Sequence, residues 1–134
     1  QCFELSGGLR LCPFICYDLR FPELFRKAMM MENPPHIFAV IASWPNMRTH
    51  HWTKLLEARA IENLTYVVGV NRCGSDPYLE YDGASVVVDP HGDRLAEAGP
   101  EEIVISANLD INLVQDWRNT FPALEDSRPD WWAL

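Results

Sequence analysis

Apolar and polar positions change rhythm several times along the chain. Residues 9–15 alternate, with Leu9, Leu11, Pro13 and Ile15 on one side and Arg10, Cys12 and Phe14 on the other, which is the period of a β-strand. Pro13 lacks the amide that a central ladder needs, so this strand is expected at an edge or as an irregular one. Residues 22–31 carry helix signals: Pro22 suits a first turn, Glu23 the positive end of the helix dipole, and Arg26 and Lys27 follow before Asn33-Pro34-Pro35 stops the run. Ile37–Ala42 is apolar throughout, as a strand covered on both faces should be. After a loop at Ser43-Trp44-Pro45-Asn46, Thr49–Asn63 sets Trp52, Leu55, Leu56, Ala60 and Ile61 at helical spacing.

Tyr66–Asn71 reads as a third strand and residues 84–88 as a fourth. Pro90-His91-Gly92-Asp93 then turns the chain toward a further strand expected at 103–109. Residues 110–117 suit a short helix, and an irregular tail follows from about 119. Strands alternating with helices, then hairpin-like strands, predict an α/β fold with a mixed sheet. Two helices can cover only one face of it. The other apolar face, expected around Ile15, Val40, Val68 and Val87, must meet something outside this sequence.

Composition narrows the partners. The 134 residues suffice for one domain, and their net charge of −8 repels phosphate backbones and anionic lipid. Neither nucleic acid nor a membrane surface is expected, and no apolar run approaches the roughly 18 residues of a membrane helix. Cys2, Cys12, Cys16 and Cys73 include no C-x-x-C pair, so free thiols in a cytoplasmic protein are expected. His36, His50, His51 and His91 lack metal-finger spacing, and no metal is expected. Gln1 opens the chain without an initiator Met or a signal-peptide pattern, which suggests a partial domain.

Chemistry concentrates at Phe14-Ile15-Cys16-Tyr17-Asp18-Leu19-Arg20-Phe21-Pro22-Glu23. A cysteine where a strand ends and a helix soon begins is lifted off the sheet, near N–H groups that favour a thiolate. The Tyr17 amide is then placed to meet an oxyanion formed on a substrate bound to Cys16. A buried structural cysteine is the other reading of the same spacing.

The stretch from Cys16 to Glu23 resembles the nucleophile motif of the nitrilase, or carbon–nitrogen hydrolase, superfamily. The resemblance continues in family order through Ala42-Ser43-Trp44-Pro45, the helix from His51 to Asn63, Val68-Gly69-Val70-Asn71-Arg72, Tyr81-Asp82-Gly83-Ala84-Ser85 and Asp89-Pro90-His91-Gly92. It implies the C-terminal half of an α-β-β-α sandwich, with the N-terminal half missing from residues 1–134. It also implies a Glu–Lys–Cys triad in which Cys16 attacks an amide or nitrile carbon, Glu is the general base, and Lys holds the oxyanion beside the Tyr17 amide. A thioester forms, ammonia leaves and water releases the acid, with no cofactor. The family's Glu and Lys lie upstream of the nucleophile strand, so they are absent from this sequence. Glu4 lies too close to Cys16 to be either, and Glu23, Glu57 and Lys54 gain no such role by being present.

Other residues have two readings each. Arg20 either reads a substrate carboxylate or pairs with Asp18 or Glu23; Trp44 either walls the acyl pocket or caps the core; Arg48 is a second candidate for a carboxylate. His50 and His51 suit a capping or surface role, residues 58–63 a helix scaffold, and Asn71 and Arg72 a place near the site. Cys2, Cys12 and Cys73 suit packing. Met29-Met30-Met31 and the stripe on the Trp52 helix suit a subunit interface, giving a homodimer or larger homo-oligomer, and Trp131-Trp132 suit a docking contact. Among family members the pattern most resembles ω-amidases, which act on small dicarboxylic monoamides; the alternative is a non-catalytic binding or scaffolding domain. A Glu and a Lys in the upstream sequence would separate the two.

Overall fold

In the computed structural model, which describes residues 1–128 and 130, the alternating segment becomes β2 (Arg10–Ile15). It is preceded by a two-residue strand, β1 (Phe3–Glu4). α1 (Pro22–Met29), β3 (Ile37–Ala42), α2 (Thr49–Asn63) and β4 (Tyr66–Asn71) follow. β2, β3 and β4 run parallel, and each crossover is made by a helix, as parallel pairing requires. β7 (Val86–Val88) and β8 (Arg94–Glu97) extend the sheet antiparallel, in the order β1-β2-β3-β4-β7-β8. A separate hairpin pairs β5 (Cys73–Ser75) with β6 (Glu80–Asp82). The last helix, α3 (Ile111–Thr120), starts at Asp110, whose carboxylate accepts from the Asn112 amide at 2.9 Å. Among the described residues no helix is long and apolar enough to cross a membrane.

One face of the sheet is sealed by the chain itself. Cys12, Phe14, Phe38, Val40, Val67, Val86 and Val88 meet Phe25 and Met29 of α1 and Trp52, Leu56 and Ala60 of α2. Phe14 stacks on Phe25 with centroids 3.9 Å apart, and Phe38 stands edge-on to both. Gly69 lets α2 lie close to β4, because a Cβ there would collide with Leu56 and Trp52. The stripe on α2 is therefore core rather than a subunit interface; only Ile61, with Met30 and Met31 of the α1 end, stays exposed among these apolar candidates.

The other face is half covered. At the amino ends of the parallel strands, Ile37 and Tyr66 pack with Leu9, Leu11, Leu109 and Val114, so α3, the short helix expected at 110–117, covers part of the face that two helices were expected to leave bare. At the carboxyl ends, Ile15, Ile41 and Val70 are 64 %, 55 % and 51 % exposed. They lie side by side, since Ile15 registers with Ile41 and Ile41 with Val70. One residue expected on that face is corrected: Val40 packs with the helices, whereas Val87 registers with Val68 on the expected face and is buried there. The expected edge character at Pro13 follows from the shortness of β1, which pairs β2 only at Arg10 and Leu11.

Two further expectations need correcting. Residues 103–109 form no strand; the return strand is β8. The Asp89 carboxylate accepts from the His91 and Asp93 amides at 2.8 and 3.0 Å, and this tight turn reverses the chain at once. The tail expected from about 119 begins as the last turn of α3, and Trp131-Trp132 lie outside the described residues.

Candidate functional site

At the carboxyl end of β2, Cys16 takes φ 44°, left-handed for a residue with a side chain, and opens a tight turn over Cys16–Arg20. Such a conformation costs on the order of 1–3 kcal/mol and persists only where its surroundings over-determine it. Here they do. The Asp18 carboxylate accepts from the Ile15 amide at 2.9 Å, and the fully buried Leu19 pins the turn to the core. The Leu19 carbonyl accepts from Arg59 Nη2 at 2.7 Å. Arg59 is itself buried, paired to Glu62 at 2.9 Å and laid over the Phe25 ring. The helix segment expected to be bland scaffold thus contains the guanidinium that holds the cysteine turn.

The carboxyl ends of the neighbouring strands complete the surroundings. The backbone amide of Trp44, after β3, donates to Asn71 Oδ1 at 2.7 Å. Asn71 Nδ2 donates to the carbonyls of Trp44 and Gly83 at 3.1 and 2.8 Å. The Trp44 indole N–H donates to the Arg48 carbonyl at 2.8 Å, and its ring lies 5.6 Å from that of Trp52. Asn71 is therefore a buried clamp on the Trp44 loop, a role hidden from sequence reasoning because its partner lies 27 residues away. Arg72 turns aside to the Tyr81 ring and Asp76.

These elements enclose a cavity of about 310 Å³ lined by Cys16, Tyr17, Arg20, Ser43, Trp44, Pro45 and Arg48. All the site candidates from the sequence, Cys16, Tyr17, Arg20, Trp44 and Arg48, meet there. The Arg20 guanidinium sits 4.7 Å from the Trp44 ring centroid and 3.3 Å from His51 Nδ1, rather than against Asp18 or Glu23. His51 thus has a specific partner at the cavity's edge. Arg48 is exposed, with its guanidinium on Met47 Sδ at 3.4 Å. The lining holds two guanidinium groups and neither a carboxylate nor an ammonium. Lys54 and Glu57 are committed elsewhere, Lys54 to Glu57 at 2.9 Å and Glu57 also to Arg94. Glu23 lines a different recess with Arg26 and Glu62.

A cysteine on a left-handed turn, over a cavity at the carboxyl ends of adjacent parallel strands, gives this α/β protein a candidate site at the edge where such sheets usually bind ligands. This chain belongs to the carbon-nitrogen hydrolase family, whose profile matches residues 1–119. The "Hydrolase in agr operon" of Staphylococcus lugdunensis is 40 % identical over 129 residues, covering 96 % of this chain and 54 % of that protein. The 2-oxoglutaramate amidase of Bacillus subtilis is 41 % identical over 128 residues, covering 96 % and 48 %. A crystal structure of a CN-hydrolase superfamily protein from Xanthomonas campestris, with an arsenic adduct in its active site, superposes with a TM-score of 0.89 at 38 % identity, covering 96 % of this chain and 50 % of that one. The chain spans about half the length of the relatives it matches.

Proposed function

We propose that this chain carries the nucleophile and part of the substrate pocket of an amidase that hydrolyses a small amide through a thioester on Cys16. The observation that carries the reading is Cys16 itself, held at φ 44° over a 310 Å³ cavity. Its Sγ attacks the amide carbon, and the carbonyl electron pair moves to oxygen. The first N–H groups of a helical turn have no acceptor within it, so the Tyr17 amide is available to that oxyanion. The nitrogen leaves as ammonia when the tetrahedral species collapses to the thioester. Water then attacks the thioester carbon, releasing a carboxylic acid and restoring the thiol. The cavity lining supplies no base, so the Glu and Lys that the family resemblance implies come from outside this sequence.

Substrate choice follows from charge. Two guanidinium groups and a tryptophan wall fit a short acid that bears a carboxylate at the end opposite its amide. The Bacillus subtilis relative, a 2-oxoglutaramate amidase, supports a dicarboxylic monoamide of the ω-amidase kind. Four free thiols suit a reducing cytoplasm, and the exposed Met30, Met31 and Ile61 suit a contact between copies. We place the bare row of Ile15, Ile41 and Val70 against the remainder of the sandwich, so residues 1–134 alone are insoluble, molten or stuck to another copy, and inactive. The test is Cys16→Ala in the full-length protein: amide hydrolysis is abolished while the thermal transition is kept. Substantial turnover by that variant would remove the nucleophile assignment.

A further inference from the structure

Away from the Cys16 cavity, β1 and β2 bring two other thiols together. Phe3 registers with Leu11 and Glu4 with Arg10, so one further step along the ladder sets Cys2 opposite Cys12. The kind of pair is also fixed. The Leu5 amide donates to the Leu9 carbonyl at 2.6 Å, making Leu5/Leu9 a hydrogen-bonded pair. Antiparallel pairs alternate, so Glu4/Arg10 is non-hydrogen-bonded, Phe3/Leu11 bonded and Cys2/Cys12 non-hydrogen-bonded. Arg10 confirms this phase, because its amide and carbonyl both face the β3 side, bonding His36 at 3.1 and 2.9 Å. Non-hydrogen-bonded partners have Cα atoms about 4.5 Å apart and side chains on the same face. That separation lies within the roughly 4.4–6.8 Å that a disulfide spans.

The surroundings suit reaction at this pair. A cavity of about 510 Å³ opens onto both cysteines and is also lined by Lys27 and Met31. Cys2 is half-buried, and its thiol donates to Met31 Sδ at 3.5 Å. Cys12 is buried at the cavity floor, where burial first and the Cys2 thiol second push its thiol up to about 12. Both are free thiols.

We propose that Cys2 and Cys12 form a reversible cross-strand disulfide when the protein meets a peroxide. The Cys2 sulfur attacks one peroxide oxygen, the O–O bond breaks, and the departing hydroxide takes a proton to become water. Cys2 is then a sulfenic acid. The Cys12 sulfur attacks the Cys2 sulfur, forming the S–S bond as the S–O bond breaks, and its thiol proton leaves with the hydroxide as a second water. Two thiols lose two electrons and two protons, and hydrogen peroxide becomes two waters. Cys12, held protonated, is the resolving partner and Cys2 the one that takes the oxygen. A low-molecular-weight thiol reverses the link by exchange.

The test uses the full-length protein and a stoichiometric pulse of hydrogen peroxide, followed by iodoacetamide and digestion with trypsin and then chymotrypsin. Cutting after Phe14 separates Cys12 from Cys16. The expected product is a Cys2 peptide joined to the Cys12 peptide, lighter by two hydrogens than the two thiol peptides together, and dithiothreitol abolishes it. Cys2→Ser, at the more accessible position, removes the link and leaves Cys12 to iodoacetamide after denaturation. The proposal is overturned if both thiols stay alkylatable after peroxide. A Cys2 found as sulfinic acid without a link, or joined to Cys16 or Cys73, overturns it equally. The wild-type digest decides between these outcomes without any variant having to fold.

Discussion

Under α1 and α2, Phe25, Phe38, Trp52 and Leu56 are wholly removed from water, whereas across the same strands Ile15, Ile41 and Val70 stay more than half exposed. Adjacent residues of one strand face the two environments: Val40 is inaccessible and Ile41 bare. The difference shows where this sequence is self-sufficient. The helix face anchors the Cys16 turn through Leu19 and Arg59, while Asp18 closes the turn on the Ile15 amide. The bare end of the other face lies beside the same turn, because Ile15 immediately precedes Cys16. The structure thus holds the Cys16 turn from one side and leaves an apolar row exposed on the other.

The largest effect that would break this comparison lies at Trp52. Trp52→Ala removes a buried indole from the sealed face and costs about 3–5 kcal/mol, read as a fall in the thermal or denaturant midpoint of the full-length protein. Ile41→Asp sharpens it. If the remainder of the protein covers the bare row, this change costs several kcal/mol in the full-length chain, on the order of the penalty for burying an unpaired charge. A loss below about 0.5 kcal/mol, typical of a surface change, would show the row to be free in the whole molecule.

Next is the clamp. Asn71→Ala leaves the Trp44 amide and two carbonyls without their partner and costs roughly 2–4 kcal/mol, with kcat/KM falling as the Trp44 wall loosens. An unchanged kcat/KM would show that the wall does not depend on the clamp. Arg20→Met touches the pocket directly. On a dicarboxylic monoamide we expect a loss of about 1.5–3 kcal/mol in kcat/KM, and little change on a monoamide without the distal carboxylate. Equal losses on both substrates would make Arg20 a support for Trp44 rather than a reader of charge.

The smallest effect is at the far end of the sheet. Burial first, then Arg10 and Arg118, hold the His36 imidazole below its usual range, and its Nδ1 accepts from the Arg10 amide. The folded state therefore keeps His36 neutral while the unfolded chain takes up a proton near pH 6.5. The stability this residue contributes is full above that value and declines as pH falls below it. The thermal midpoint should drop between pH 7 and pH 5, and less so in His36→Gln. Identical slopes would show that this group does not contribute.

What could be read in advance was set by range along the chain. β2, β3, β4, α1 and α2 announce themselves because each buries one periodic side, and Asp110 caps α3 through its own neighbours. The β5–β6 hairpin has strands of three residues, too short to show a period, and is closed by Asp76 accepting from the Tyr78 and Leu79 amides. Residues 103–109 have the apolar content of a strand, but Asp89 and β8 had already taken the place beside β7. At the site, residue types chosen from the sequence do share one cavity. Their supports were hidden: Arg59 acts on Leu19 across 40 positions, and Asn71 on Trp44 across 27. Periodicity carries no information about such pairs.

The most direct test of the central claim is the mass of the full-length protein quenched during turnover of a slowly hydrolysed amide. Cys16 as nucleophile predicts a transient species heavier by the acyl group, localised by fragmentation to Cys16 and missing from Cys16→Ala. An adduct on Cys2, Cys12 or Cys73, or undiminished turnover with no adduct at Cys16, would contradict it.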